Sequence, residues 1–187
     1  MPPEPEEPPP VSNAATIAGM QELWPSLGSA GHPELCYRRC LHFARGVCSH
    51  GSGCHFCHVT THPPDRKMQR SDRELLHGLS LPDLLRVTWR VLAWRIQARR
   101  AQAEPIFEVL ALELQDAQRA QSQGPMGPMG PAGRRPTDQE LQALQWSLSR
   151  SSMNFASLIT FISSRCRPAS RDQLLALLAQ MTQEARP

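Results

Sequence analysis

Cys36-YRR-Cys40-LHFARGV-Cys48-SHGSG-Cys54-HF-Cys57-His58 places five cysteines and four histidines, counting His42, His50 and His55, within 23 residues. Soft ligands at this density point to a metal. Cys40, Cys48, Cys54 and His58 read as C-x7-C-x5-C-x3-H, and three thiolates with one imidazole make a closed tetrahedral set suited to zinc, leaving no position for substrate or activated water. A second grouping, Cys36 and Cys40 with Cys54 and Cys57, has C-x3-C and C-x2-C spacings that zinc also accepts. With so few apolar residues nearby, metal binding would supply the folding energy that burial cannot.

The rest of the chain sets the context. With 187 residues, 18 prolines, 11 glycines and only 5% aromatics, a discontinuous structure is expected and one large core is not. Mean hydropathy is negative, at -0.40. The first ten residues, MPPEPEEPPP, lack the basic start and apolar run of a secretory signal, and arginine interrupts the most hydrophobic stretch, LLRVTWRVLAWRI, every few positions. The expectation is an intracellular protein, in nucleus or cytoplasm, with no membrane partner, where clustered thiols bind metal and do not form disulfides. Residues 31–70 hold six bases against two acids, a mild preference for polyanions.

The chain divides into a disordered Pro/Glu-rich N-terminus (1–30), a finger (31–63), an α-helical region (71–120), a Gly/Pro-rich linker (121–136) and a helical C-terminal region (137–184). Ser71 with Glu74 suggests a capping box for a short helix, and Ser80 with Pro82 and Asp83 opens a longer one reaching about Ala103. Pro105 is expected to end or kink it, and Phe107, Leu110 and Leu114 then share one face. Thr137 with Glu140 and Ser170 with Gln173 suggest two further capping boxes. Periodicity leaves MNFASLITFI open between helix and strand. In the long helix, Arg86, Arg90, Gln97 and Arg100 form a solvated stripe and Trp89 and Trp94 read as packing residues.

The cysteine segment resembles the CCCH-type zinc fingers. Phe43, Gly46, Gly51 and Phe56 stand where that family commonly has an aromatic, two glycines and an aromatic, and this favours the set Cys40, Cys48, Cys54 and His58. The lead-in SLGSAGH, Ser26 to His32, with Cys36 and Cys57, is also similar to a variant of this finger in predicted dinoflagellate proteins. The resemblance implies a small zinc-stabilised finger with little regular secondary structure, beside a mostly α-helical remainder, and it implies binding of single-stranded RNA. Phe43 and His50 are then the candidates for stacking on bases, Phe56 for stacking or for packing beneath the metal, and Arg38, Arg39 and Arg45 for phosphate contacts. Gly53 and Ser49 stand where the family commonly has basic residues. The alternative is a protein-interaction adaptor whose apolar helices bind a protein partner. His42, His55 and His62 are expected to be bystanders and Cys166 an inert small apolar residue. No phosphate loop, nucleophile elbow or open metal site marks an enzyme.

Overall fold

The computed structural model describes residues 25–36, 38–62, 67–123 and 135–185. Residues 1–24 of the expected disordered N-terminus, and residues 124–134 of the expected linker, lie outside this range. The finger segment is built from short turns: a 3-10 turn at Leu27–Ser29, a single helical turn α1 at Leu41–Ala44 and a 3-10 turn at Gly51–Gly53. Its folded part starts ahead of Gly31, because Ser26, Gly28, Ser29 and Ala30 are buried.

Six longer helices follow: α2 (Arg70–Gly78), α3 (Leu81–Arg95), α4 (Arg100–Gln123), α5 (Asp138–Arg150), α6 (Phe155–Ser163) and α7 (Pro168–Glu184). Helix α3 is the hub, touching α4, α5 and α6, while α7 packs on α4 and α6. This explains its sequence. Leu84, Leu85, Val87, Thr88, Val91 and Leu92 are all buried, whereas Arg86 and Arg90 face solvent. A helix enclosed on several sides cannot show one clean apolar stripe.

The buried apolar residues of both helical regions belong to one cluster, running from Leu35 through Phe107 and Phe155 to Ala185. This corrects the expectation of no large core. Aromatics are scarce, but leucine, isoleucine and valine fill the interior instead. Helices on either side of residues 124–134 therefore share one interior, and the apolar circumference of α3 is satisfied within the chain.

The ends of the helices partly follow the sequence. Ser80 accepts from the Asp83 N–H, Thr137 and Glu140 form the reciprocal capping box, and Asn154 caps α6, which resolves MNFASLITFI as helix. Two expected boxes do not form. Helix α2 begins at Arg70, so Ser71 lies inside it and Glu74 pairs with Arg70 at 2.7 Å. Helix α7 begins at Pro168, and Ser170 instead donates to the buried Glu113 carboxylate, which Arg167 also holds at 2.7 Å. A long-range acceptor wins over a local backbone one in that case.

The break in the long helix comes at Ile96, followed by a 3-10 turn at Gln97–Arg99, and not at Ala103 or Pro105. Pro105 sits inside α4. An internal proline costs about 3 kcal/mol, but Ile106, Phe107 and Leu110 beside it are fully or nearly fully buried, each contributing about 1.5–3 kcal/mol. Burial wins. Trp89 packs edge-on against Phe107 with ring centroids 5.1 Å apart. Trp94, expected in the packing, is 62% exposed.

Candidate metal centre

The chain between Cys40 and His58 reverses direction twice, and glycine stands at both reversals. Gly46 has φ +73° and Gly51 φ +49°, a region that L side chains avoid. Cys40 stands at the N-terminal cap of α1, where its Sγ accepts the Phe43 N–H at 3.3 Å, and the Sγ of Cys54 accepts the Phe56 N–H at 3.4 Å. The two ends of the segment are tied as a short parallel bridge by Cys40 N–H to Cys57 O and Cys57 N–H to Arg38 O, both 2.9 Å. The folded backbone therefore gathers the ligands.

Cys40, Cys48, Cys54 and His58 each bring one ligand atom to within 4.8 Å of the others. The Sγ atoms of Cys40 and Cys54 are 3.9 Å apart, against about 3.8 Å between two thiolates at 2.3 Å from a tetrahedral zinc. His58 is 3% exposed, and its Nε2 has no hydrogen-bond partner among the described residues. A buried nitrogen lone pair without a donor is costly, and a cation among the three sulfurs removes that cost. The donor set thus fits a metal ion, and its softness favours zinc.

The electrostatics of the sulfurs agree. Burial opposes ionisation of Cys40, yet the Phe43 N–H and the neighbouring Cys48 and Cys54 thiols outweigh it and lower its pKa. The Phe56 N–H favours the Cys54 thiolate, but burial and the sulfurs of Cys48 and Cys40 prevail and raise it. Negative charge on Cys40 thus disfavours a second one on Cys54, and a cation between the two sulfurs would relieve that repulsion.

A second group stands beside the first: His32, Cys36, Cys57 and His62, again with ligand atoms within 4.8 Å of one another. It bears on one alternative and one expectation. The alternative of Cys36 and Cys57 joining Cys40 and Cys54 is not the grouping formed, and His62, expected as an exposed bystander, is half-buried beside Cys36. The separation follows from backbone geometry, since successive side chains on extended chain point to opposite sides. Cys57 and His58 are adjacent in sequence yet serve different groups. Spacing alone offered a faint signal, His32-x3-Cys36 and Cys57-x4-His62, but only folding back of the lead-in pairs them. Within the group the two sulfurs share one proton in effect: the Cys36 thiol holds Cys57 well below its ordinary range, and Cys57 pushes Cys36 well up.

The candidate RNA-contacting residues lie on the outer side of the finger. Phe43 stacks in parallel on the His58 ring with centroids 4.1 Å apart and remains 38% exposed; Phe56 is 44% exposed. His50, Arg38, Arg39 and Arg45 are exposed, as are His42 and His55. Cys166 is half-buried, its Sγ directed to the Ile162 carbonyl at 3.4 Å; burial, then the charge of Glu113, pushes its pKa up to about 11.

The lead-in docks the finger on the helical bundle. Glu34 accepts the Phe155 N–H at 2.8 Å, its carbonyl accepts the Ala156 N–H at 3.0 Å, and its carboxylate meets Arg95 at 3.4 Å. The Asn154 amide donates to the carbonyls of Pro33 at 3.3 Å and Cys36 at 2.9 Å. Sequence reasoning gave no role to Glu34 or Asn154 here, since their partners lie 61 to 121 residues away along the chain.

Among the described residues, no helix is long and apolar enough to cross a membrane. No family model, curated protein or solved structure matches the chain.

Proposed function

We propose that the chain is a zinc-dependent RNA-binding protein whose finger, organised by zinc on Cys40, Cys48, Cys54 and His58, takes a short single-stranded segment. The observation carrying this reading is the Phe43 ring, stacked on the ligand His58 and still 38% exposed. Packing against a metal ligand fixes the orientation of an aromatic plane, and a fixed, partly open plane is what an unpaired base stacks on. Exposed Arg38, Arg39 and Arg45 supply cations for phosphates nearby. The closed ligand set makes the metal structural and gives no support to hydrolytic chemistry.

Full-length, zinc-loaded protein should bind fluorescent random-sequence single-stranded RNA at low salt, more weakly at moderate salt, and not after chelation. Phe43→Ala should weaken binding about tenfold, within the range of about 1–3 kcal/mol for losing one stacked base. No association at low salt overturns the reading. The groove between the lead-in and helices α6 and α7, about 1330 Å³ and lined in part by Leu27, Leu41, Phe161 and Leu175, favours the adaptor reading in that event.

A further inference from the structure

We infer that His32, Cys36, Cys57 and His62 form a second zinc site, which clasps the finger to the helical bundle. The inference stands apart from RNA binding and from occupancy of the first group. Its four donors are distinct from those of the first group, two sulfurs and two imidazoles. The Cys57 Sγ lies 3.6 Å from His32 Nδ1 and the Cys36 Sγ 3.9 Å from His62 Nε2. A tetrahedral zinc with sulfur at 2.3 Å and nitrogen at 2.0–2.1 Å requires about 3.6 Å between such atoms, so small side-chain adjustments close the site. The rings of His32 and His62 meet edge-on with centroids 4.6 Å apart, which brings both imidazoles to one point. Cys57 is fully buried and Cys36 nearly so. Two thiolates and two neutral imidazoles are a set that zinc prefers and that magnesium or calcium does not.

The location gives the site its role. His32 and Cys36 come from the lead-in, Cys57 from the bridge that closes the finger, and His62 from the chain leaving it. Between His32 and Cys36 lies Glu34, whose carboxylate and carbonyl hold the first two amides of α6, and Asn154 grips the Cys36 carbonyl. A metal there fixes a segment that touches both bodies. The two groups interleave in sequence, so the outer one locks the register of the inner.

The test uses the full chain. Native mass spectrometry under zinc excess should find two zinc ions per molecule, one in Cys48→Ser and one in His62→Ala. Cobalt substitution should show charge transfer from five thiolates, falling to three in His62→Ala. His62→Cys keeps four donors and should retain two metals with a sixth thiolate, which decides the matter if His62→Ala loses its helical signal. Hydrogen exchange at the Phe155 and Ala156 amides should accelerate at least tenfold in His62→Ala and not in Cys48→Ser. One zinc in the native chain that Cys48→Ser abolishes, or a cobalt spectrum unchanged by His62→Cys, overturns the second site; unchanged exchange overturns the clasp. One zinc abolished by His62→Ala and kept in Cys48→Ser would instead sink the first group and leave this one standing.

Discussion

Arg95 is the residue whose replacement should most clearly separate a structural clamp from an ordinary surface charge. Its side chain is 8% exposed, and one guanidinium nitrogen donates to the carbonyls of Leu148 and Ser149 at 3.3 Å and Ser151 at 3.0 Å, which end α5. The other terminal nitrogen meets Glu34, 18% exposed, at 3.4 Å. Arg95→Met keeps the aliphatic stem and removes the charge. Three carbonyls served by one nitrogen at long distance amount to about one good charged hydrogen bond, roughly 2 kcal/mol. Losing a cation at a helix C-terminus adds about 0.5–1 kcal/mol. Glu34 keeps the Phe155 N–H and some solvent, so stranding it falls well short of the 3–5 kcal/mol for a fully buried orphan. The sum is about 3 kcal/mol, or about 6–12 °C in Tm for a chain of this size. Urea unfolding of zinc-saturated protein, followed by far-ultraviolet circular dichroism, measures it. Glu34→Gln should cost less, since its amide oxygen still caps Phe155, and the double variant should cost less than the sum of the singles. A loss below about 1 kcal/mol for Arg95→Met would refute the clamp.

Two further outcomes follow from other parts of the chain. A Cβ at Gly28 would overlap the backbone of His55 and Phe56, so Gly28→Ala should break the Gly28 N–H bond to Cys54 O and the Ser26 bond to Phe56 O; at about 1 kcal/mol each, zinc affinity by chelator competition should fall about 30-fold, and a change under twofold contradicts the packing. Cys166, its thiol pushed from 9.0 up to about 11 chiefly by burial, should react with iodoacetamide at pH 8 about 100-fold more slowly than a free thiol. Because the folded thiol ionises later than the unfolded one, its contribution to stability is complete below pH 9 and is lost as pH rises toward 11. Labelling at the rate of a free thiol contradicts this burial.

What the sequence determined by itself is what short-range chemistry can encode. Cys40, Cys48, Cys54 and His58, with Gly46 and Gly51 at the reversals, are gathered by backbone turns only a few residues long, so their spacing already carried the grouping. Thr137 with Glu140 and Ser80 with Asp83 are legible for the same reason, being bonds within one helical turn. Tertiary structure decided the rest. The second group needs His32 and His62, thirty residues apart, to meet beside an extended stretch whose neighbouring side chains face opposite ways. Pro105 was tolerated because Ile106, Phe107 and Leu110 are buried beside it, and Ser170 turned from its own backbone to Glu113. Arg95, one more arginine in a rich stretch, became a clamp only when α5 ended against it. In each case the deciding partner is remote along the chain, and its contribution exists only after the core has closed.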